Sequence, residues 1–147
     1  MKFLVYAMPR SGSAWLANFL TADGLVCHHD PLGRMSFQEA NRLDAAVDTG
    51  AYLFQRKMLA ERSYALVRNV KDCNRSLARL GLVQVAEDQG LDIPTFHFER
   101  LFDIGYLAEL WSQVRGTPFD VERAKMLIDL NVQHRLDRVL GDRTCLG

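Results

Sequence analysis

Residues 3–20 read FLVYAMPRSGSAWLANFL, and the predicted fold is built around this segment. Its first part, Phe3 to Ala7, is a short apolar run rich in β-forming residues, which predicts a buried strand. Turn-forming residues follow from Met8 to Ser13, and they carry one cation, Arg10. Apolar residues then recur at helical spacing from Trp15 to Leu20. Because a strand, a loop of small residues and a helix aim backbone N–H groups at one point, the stretch predicts a site for phosphate or sulfate.

Composition limits the classes of function. The length of 147 residues predicts a single domain spanning residues 1–147. Acidic and basic residues number 18 each, so we expect no nucleic-acid partner and only a local anion site. No apolar run reaches membrane-spanning length, and the first run enters the loop directly without a cleavage site, so we interpret it as a strand. Three widely separated cysteines without a CxxC pair predict reduced thiols in a cytoplasmic protein: Cys27, Cys73 and Cys145.

The rest of the chain alternates between predicted strands and helices. Further strands are predicted at Gly24–His28, Tyr64–Val67 and Thr95–Phe98. One helix is predicted from the Ser36–Glu39 capping box through Val47, and a second begins after the Asn69 cap, with Cys73, Leu77 and Leu80 facing inward. Two more are predicted over 104–114 and from the Asp120 cap to Gly141. Residues 51–62 are interpreted as mostly helix, with a strand at 52–54 as the alternative. This alternation predicts an α/β fold of three layers, α/β/α, around a parallel sheet.

Polar residues follow each predicted strand. The first strand is followed by Arg10 to Ser13, the second by His28, His29 and Asp30, the third by Arg68, and the fourth by Glu99 and Arg100. Ligands of open α/β sheets bind beyond the carboxyl ends of the strands, which meet at one edge. We therefore expect a functional site at that edge.

The loop departs from the nucleoside-triphosphate pattern G-x-x-x-x-G-K-[ST]. Ala7 stands at the first glycine, Ser13 at the lysine and Ala14 at the magnesium-binding hydroxyl. These departures disfavour ATP or GTP hydrolysis and a magnesium site, so a divergent nucleotide kinase remains only as a disfavoured alternative. The order P-[KR]-S-G-[ST]-x-W-L resembles the sulfotransferase family, and its residues here are Pro9, Arg10, Ser11, Gly12, Ser13, Ala14, Trp15 and Leu16.

Two further segments carry the resemblance. Residues 67–77, which include Arg68 and Ser76, look like the family's 3′-phosphate motif, in which a serine follows a strand-ending arginine by eight positions. Residues 96–101 are similar to the Y-E-x-L segment after the last core strand, and residues 116–119 fall where the family often has a turn.

The resemblance implies a fold of the P-loop nucleoside-kinase-like type and a cofactor, 3′-phosphoadenosine 5′-phosphosulfate, bound without metal. It implies sulfuryl transfer to a hydroxyl or amine acceptor, with these cofactor-binding residues: Pro9, Arg10, Ser11, Gly12, Ser13, Ala14, Trp15, Arg68 and Ser76.

Two departures from the family leave the activity open. Many members have a glycine- and lysine-rich C-terminal loop over the 3′-phosphate, and residues 141–144 do not resemble it. Many also carry a catalytic histidine about twenty residues before the 3′-phosphate arginine. At that place this chain has Asp48, Thr49 and Gly50, and no histidine. We assign catalysis to Arg10 with His29, or alternatively His28, as the base; Asp48 and Glu99 are the candidates if neither histidine serves. A non-catalytic nucleotide-binding module is the competing hypothesis. His97 is interpreted as a hydrogen-bonded structural histidine, His134 as a helix-surface residue, and Trp15 and Trp111 as core residues.

Overall fold

Five parallel strands form one sheet in the computed structural model, which describes residues 1–130. The strands are β1 (Phe3–Ala7), β2 (Cys27–His29), β3 (Ala45–Asp48), β4 (Arg62–Val67) and β5 (Thr95–His97). Their order across the sheet is β2-β3-β1-β4-β5, and every neighbouring pair is parallel. β1 is the central strand: Val5 is paired with Val47 on one side and with Tyr64 on the other.

Helices cover both faces of this sheet. They are α1 (Ser13–Leu20), α2 (Phe37–Ala40), α3 (Val70–Arg79), α4 (Ile104–Val114) and α5 (Val121–Asp129), with 3-10 turns at Pro31–Gly33, Ala51–Lys57 and Phe98–Arg100. Helices α1, α4 and α5 pack on the face that carries Phe3 and Val5. The opposite face packs Leu4 and Tyr6 against residues around α2, while Met8 contacts α3. The predicted α/β class with a parallel sheet is confirmed.

The helix starts follow the predicted capping signals. Ser36 and Glu39 form a complete capping box at α2. The Asn69 side chain accepts from the backbone N–H groups of Lys71 and Asp72 at the start of α3. Asp120 likewise accepts from the N–H of Arg123 at the start of α5. Each cap gives helix N–H groups a partner that the first turn otherwise lacks.

The prediction of a helix through Val47 was wrong. Helix α2 ends at Ala40, and Ala45–Asp48 is the strand β3, paired with both β1 and β2. All four β3 residues are buried. Tertiary pairing between two strands overrides the helical preference of the two alanines, Ala45 and Ala46.

Several boundaries differ from prediction. The second strand starts at Cys27 rather than Gly24, since Ala22 and Leu25 form an isolated bridge before it. The helical interpretation of residues 51–62 is confirmed in part: residues 51–57 form a 3-10 turn, residues 52–54 are not the alternative strand, and Arg62 already begins β4. β5 ends at His97, one residue before the predicted boundary. Leu80 is not inward as predicted but 54% exposed, because α3 ends one residue before it. The predicted part of the last helix beyond residue 130, with His134 and Cys145, lies outside the described residues.

Two arginines hold the carboxyl end of α1. Arg123 of α5 donates three hydrogen bonds of 2.7–2.8 Å to backbone carbonyls, those of Asn18, Phe19 and Thr21. Arg115 donates to the carbonyls of Leu20 and Ala22. A cation at a helix C-terminus pairs with unsatisfied carbonyls and with the negative end of the helix dipole. The arginines thereby fix α1, whose other end adjoins the loop. Within residues 1–130, no helix has both the length and the apolar character needed to cross a membrane.

Candidate functional site

The loop from Met8 to Ser13 lies where the central strand passes into α1. Gly12 precedes the helix with a φ of 84°, in the left-handed region, and it has no side chain that could cap the helix. The first turn of α1 also contains no acidic residue. A Cβ atom on Gly12 would lie 3.0 Å from the Phe98 ring. The loop therefore requires glycine at this position, and it leaves the positive end of α1 available to an anion.

Arg10 and Arg68 join the two predicted anion-binding segments. The Arg10 Nε donates to the Ser76 Oγ at 3.1 Å. The Arg68 Nη1 donates to the Arg10 carbonyl at 2.8 Å, and its guanidinium lies over the Phe98 ring, 4.1 Å from the centroid. Arg10 has a φ of 62°, an uncommon left-handed conformation for a residue other than glycine. Backbone strain of this kind clusters at binding sites, where the surrounding structure holds it.

His29 lies at the end of β2 and faces the loop. Its Nε2 is 3.0 Å from the Ser13 Oγ and 3.2 Å from the Asp30 Oδ2. The other Asp30 oxygen accepts from the Thr49 N–H at 2.7 Å. An ionised carboxylate only accepts hydrogen bonds, so this geometry assigns the proton of a neutral imidazole to Nε2. The nitrogen that can accept a further proton is then Nδ1.

Two cavities flank this group of side chains. One of about 210 Å³ is lined by Pro9, Arg10, Ser13, Ala14, His29, Asp30, Thr49, Leu77 and Leu82. The other, of about 480 Å³, is lined on its polar side by Arg68, Asn69, Asp88, Gln89, His97 and Glu99. The larger volume falls within the range of about 300–1,000 Å³ typical of small-molecule sites. Each predicted arginine, Arg10 and Arg68, thus borders a cavity of its own.

Several predicted site residues turn inward. Ser11 is fully buried, and its hydroxyl donates to the Met8 carbonyl at 2.6 Å. Trp15 is 1% exposed, and its indole N–H donates to the Leu127 carbonyl at 3.0 Å. Both side chains are engaged with the interior, so a ligand would meet the backbone at these positions. The interpretation of Trp15 and Trp111 as core residues is confirmed.

The remaining candidates for a base are placed differently. Asp48 is 1% exposed and accepts from the backbone N–H groups of Leu32 and Gly50, so it holds two loops together. Glu99 is exposed and accepts from the Asn69 N–H at 3.0 Å. His97, interpreted as a structural histidine, is exposed and borders the larger cavity. Among these groups, His29 is the one that directly contacts a loop side chain.

Sequence reasoning missed two features of the site. The Phe98 ring packs against the Arg68 guanidinium and lies next to Gly12. In the sequence, this role was indicated only by the place of Phe98 in the segment that resembles Y-E-x-L. Asp30 connects β2 with β3 while pairing with His29, and no sequence pattern marks that double contact.

The described thiols are not candidate nucleophiles. Burial raises the pKa of Cys27 to about 12, opposed in part by the Arg115 cation, and burial also raises the pKa of Cys73. A thiol is nucleophilic only as a thiolate, so both cysteines are unreactive near neutral pH.

In the part of the chain that the structure describes, no group of three or more His, Cys, Asp or Glu side chains is placed to hold a metal ion. Comparisons with protein-family models, with curated proteins and with solved structures return no match.

Proposed function

We propose that this protein binds 3′-phosphoadenosine 5′-phosphosulfate and transfers its sulfuryl group to a hydroxyl or amine acceptor. One observation carries the proposal: Arg10 bonds Ser76 while Arg68 bonds the Arg10 carbonyl, so two segments far apart in sequence form one cationic site. That site lies at the carboxyl edge of a parallel sheet, where α/β proteins bind ligands. The loop after the central strand also supports a fold of the P-loop nucleoside-kinase-like type.

The donor set fits the anionic groups of this cofactor. The backbone of the Gly12 loop, the start of α1 and the Arg10 guanidinium would hold the phosphosulfate. Arg68 and Ser76 would hold the 3′-phosphate. The Ser76 hydroxyl accepts from Arg10 and keeps its own proton for donation to a phosphate oxygen. The 480 Å³ cavity beside Arg68 has room for the nucleoside.

The cofactor supplies an activated sulfuryl group, and this chain's residues would position it. Negative charge develops on the bridging oxygen as the sulfuryl group departs, and fixed donors aimed at that oxygen stabilise it. Arg10 and the first turn of α1 are placed for this role. His29 would take the acceptor proton at Nδ1, because Asp30 and Ser13 engage Nε2.

A non-catalytic binding module is the second candidate. The engagement of the His29 Nε2 with Asp30 and Ser13 favours it, since the nitrogen nearest the loop is not free to accept a proton. In that case the same anion site would bind nucleotide without turnover. Product formation separates the two candidates.

Calorimetry with 3′,5′-adenosine bisphosphate and with adenosine 5′-monophosphate, both with chelator present, tests the proposal. We expect the bisphosphate to bind more tightly. Ser76→Ala should weaken bisphosphate binding about tenfold more than monophosphate binding, since one hydrogen bond to a charged group contributes about 1.5 kcal/mol. The lost bond between Ser76 and Arg10 affects both nucleotides.

The arginine variants sharpen this test. Arg68→Met should weaken both nucleotides, because Arg68 also holds the Arg10 carbonyl. Arg75→Met, on the same helix but paired with Asp72 at the surface, is the matched control. Equal affinity for both nucleotides, or ATP binding restored only by magnesium, would contradict the sulfotransferase proposal.

A further inference from the structure

A third cavity, of about 210 Å³, is lined by residues of α1 and β2, and its lining includes His29 but not Arg10. Its lining includes Ala14, Asn18, Cys27, His28, His29 and Arg34. It shares Ala14 and His29 with the cavity of the Gly12 loop, so the two cavities adjoin at these two residues. Nothing in the proposed nucleotide contacts uses this space.

The lining of this third cavity has a distinct chemistry. Among the described residues that line it, Arg34 is the one arginine, lysine or carboxylate, and this side chain is exposed. The Asn18 amide donates to the Ala14 carbonyl and is therefore held in place. The Cys27 thiol is buried. A cavity with small walls and one guanidinium suits a small ligand that carries an anionic group.

The strand order places this cavity opposite the nucleotide. His29 ends β2, Arg10 follows β1, and Arg68 follows β4, in the sheet order β2-β3-β1-β4-β5. A group transferred at the loop would therefore have the 480 Å³ cavity on one side and the third cavity on the other. A displacement in line needs its attacking and leaving atoms on opposite sides of the transferred group.

We propose that the third cavity is the acceptor site and that it selects a small hydroxy compound bearing a carboxylate. This inference rests on the proposed function. The carboxylate pairs with Arg34, and the hydroxyl faces the sulfuryl group beside His29. The acceptor oxygen forms a bond to sulfur while the bond from sulfur to the bridging oxygen breaks. The leaving 3′,5′-adenosine bisphosphate keeps that electron pair, and the acceptor proton passes to the His29 Nδ1.

Titrations followed by NMR of the protein with three phenols test the site. The probes are 4-hydroxybenzoate, phenol and tyramine, which are anionic, neutral and cationic versions of one acceptor. We expect 4-hydroxybenzoate to bind most tightly. Arg34→Met should weaken it about five- to tenfold and leave phenol unchanged, since an accessible charge pair contributes about 1 kcal/mol or slightly more. Arg56→Met, another exposed arginine in the turn Ala51–Lys57, is the control.

The outcomes separate this inference from the proposed function. Equal binding of the three phenols, or no effect of Arg34→Met, overturns the acceptor site even if the bisphosphate still binds. If 4-hydroxybenzoate depends on Arg34 but the bisphosphate does not bind, the proposed function fails and the acceptor role fails with it. Bisphosphate binding, Arg34-dependent binding of 4-hydroxybenzoate and its sulfated product by mass spectrometry support both.

Discussion

Replacing Arg123 with methionine tests how α1, and with it the loop from Met8 to Ser13, is held in place. The guanidinium makes three hydrogen bonds of 2.7–2.8 Å to carbonyls at the end of α1. Burial lowers the pKa of Arg123, although the nearby Asp120 opposes this. Methionine keeps much of the apolar stem and removes the charge and all donors.

The expected loss follows from these contacts. A hydrogen bond to a charged group contributes about 1.5–3 kcal/mol, but water can reach part of this helix end after the substitution. We therefore count the three bonds as about 2 kcal/mol, to which the lost interaction with the helix dipole adds about 0.5 kcal/mol. For a chain of this size, such a loss lowers Tm by about 8 °C.

Thermal and urea unfolding of the unmodified protein and of Arg123→Met measure this loss. Arg75→Met is the matched control, because the Arg75 guanidinium also bonds a partner, Asp72 at 3.1 Å, but on the exposed surface of α3. We expect less than about 0.5 kcal/mol from the control. Equal losses in the two variants would refute the conclusion that the Arg123 contacts anchor α1.

Three other predictions concern the loop, the thiols and the base. Gly12→Ala should lower the free energy of unfolding by about 1–3 kcal/mol and abolish bisphosphate binding, because the position has a φ of 84° and a Cβ would meet the Phe98 ring. Urea unfolding and calorimetry measure the two effects, and Gly33→Ala is the control because its Cβ would meet nothing within 4 Å. With a pKa of about 12, the Cys27 thiol is ionised to a fraction of only about 10⁻⁴ at pH 8, so iodoacetamide should label Cys27 only after unfolding. Peptide mass spectrometry measures the labelling, and labelled Cys27 in the folded protein would contradict the prediction. His29→Ala should reduce turnover by about 10²–10⁴ with bisphosphate affinity little changed, whereas His28→Ala should act through stability; turnover that survives both substitutions removes the histidines from the mechanism.

Local sequence signals predicted the elements that depend on local physics. The run Phe3–Ala7, the Asn69 cap and the Asp120 cap each mark an element that the structure contains. β3 was missed because Leu43 and Val47 continue the helical spacing of apolar residues from Phe37, and only pairing with β1 and β2 makes Ala45–Asp48 a strand. Long-range pairing leaves no mark in a short window of sequence.

In the candidate site, too, features marked by local sequence were predicted and features that depend on packing were not. The strand-end rule placed Arg10, His29 and Arg68 at one edge of the sheet, where the structure has them. The bond from Arg10 to Ser76 could not be predicted, because it depends on how α3 packs beside the loop. The contacts of Arg123 with the end of α1 span more than a hundred residues of sequence, and no motif announces them.

The central place of β1 has a consequence for biosynthesis. Its two partners, β3 and β4, come later in the chain, and the pairing on the β4 side is complete only once Leu66 has been made. Ribosomes add about 5–20 residues per second, so several seconds pass between the synthesis of the apolar run Phe3–Ala7 and that of its partner strand β4. Parallel pairing over such separations is also intrinsically slow. A nascent chain stalled between β3 and β4 would therefore expose one side of β1, and that interval is when we expect chaperone capture or aggregation to be greatest.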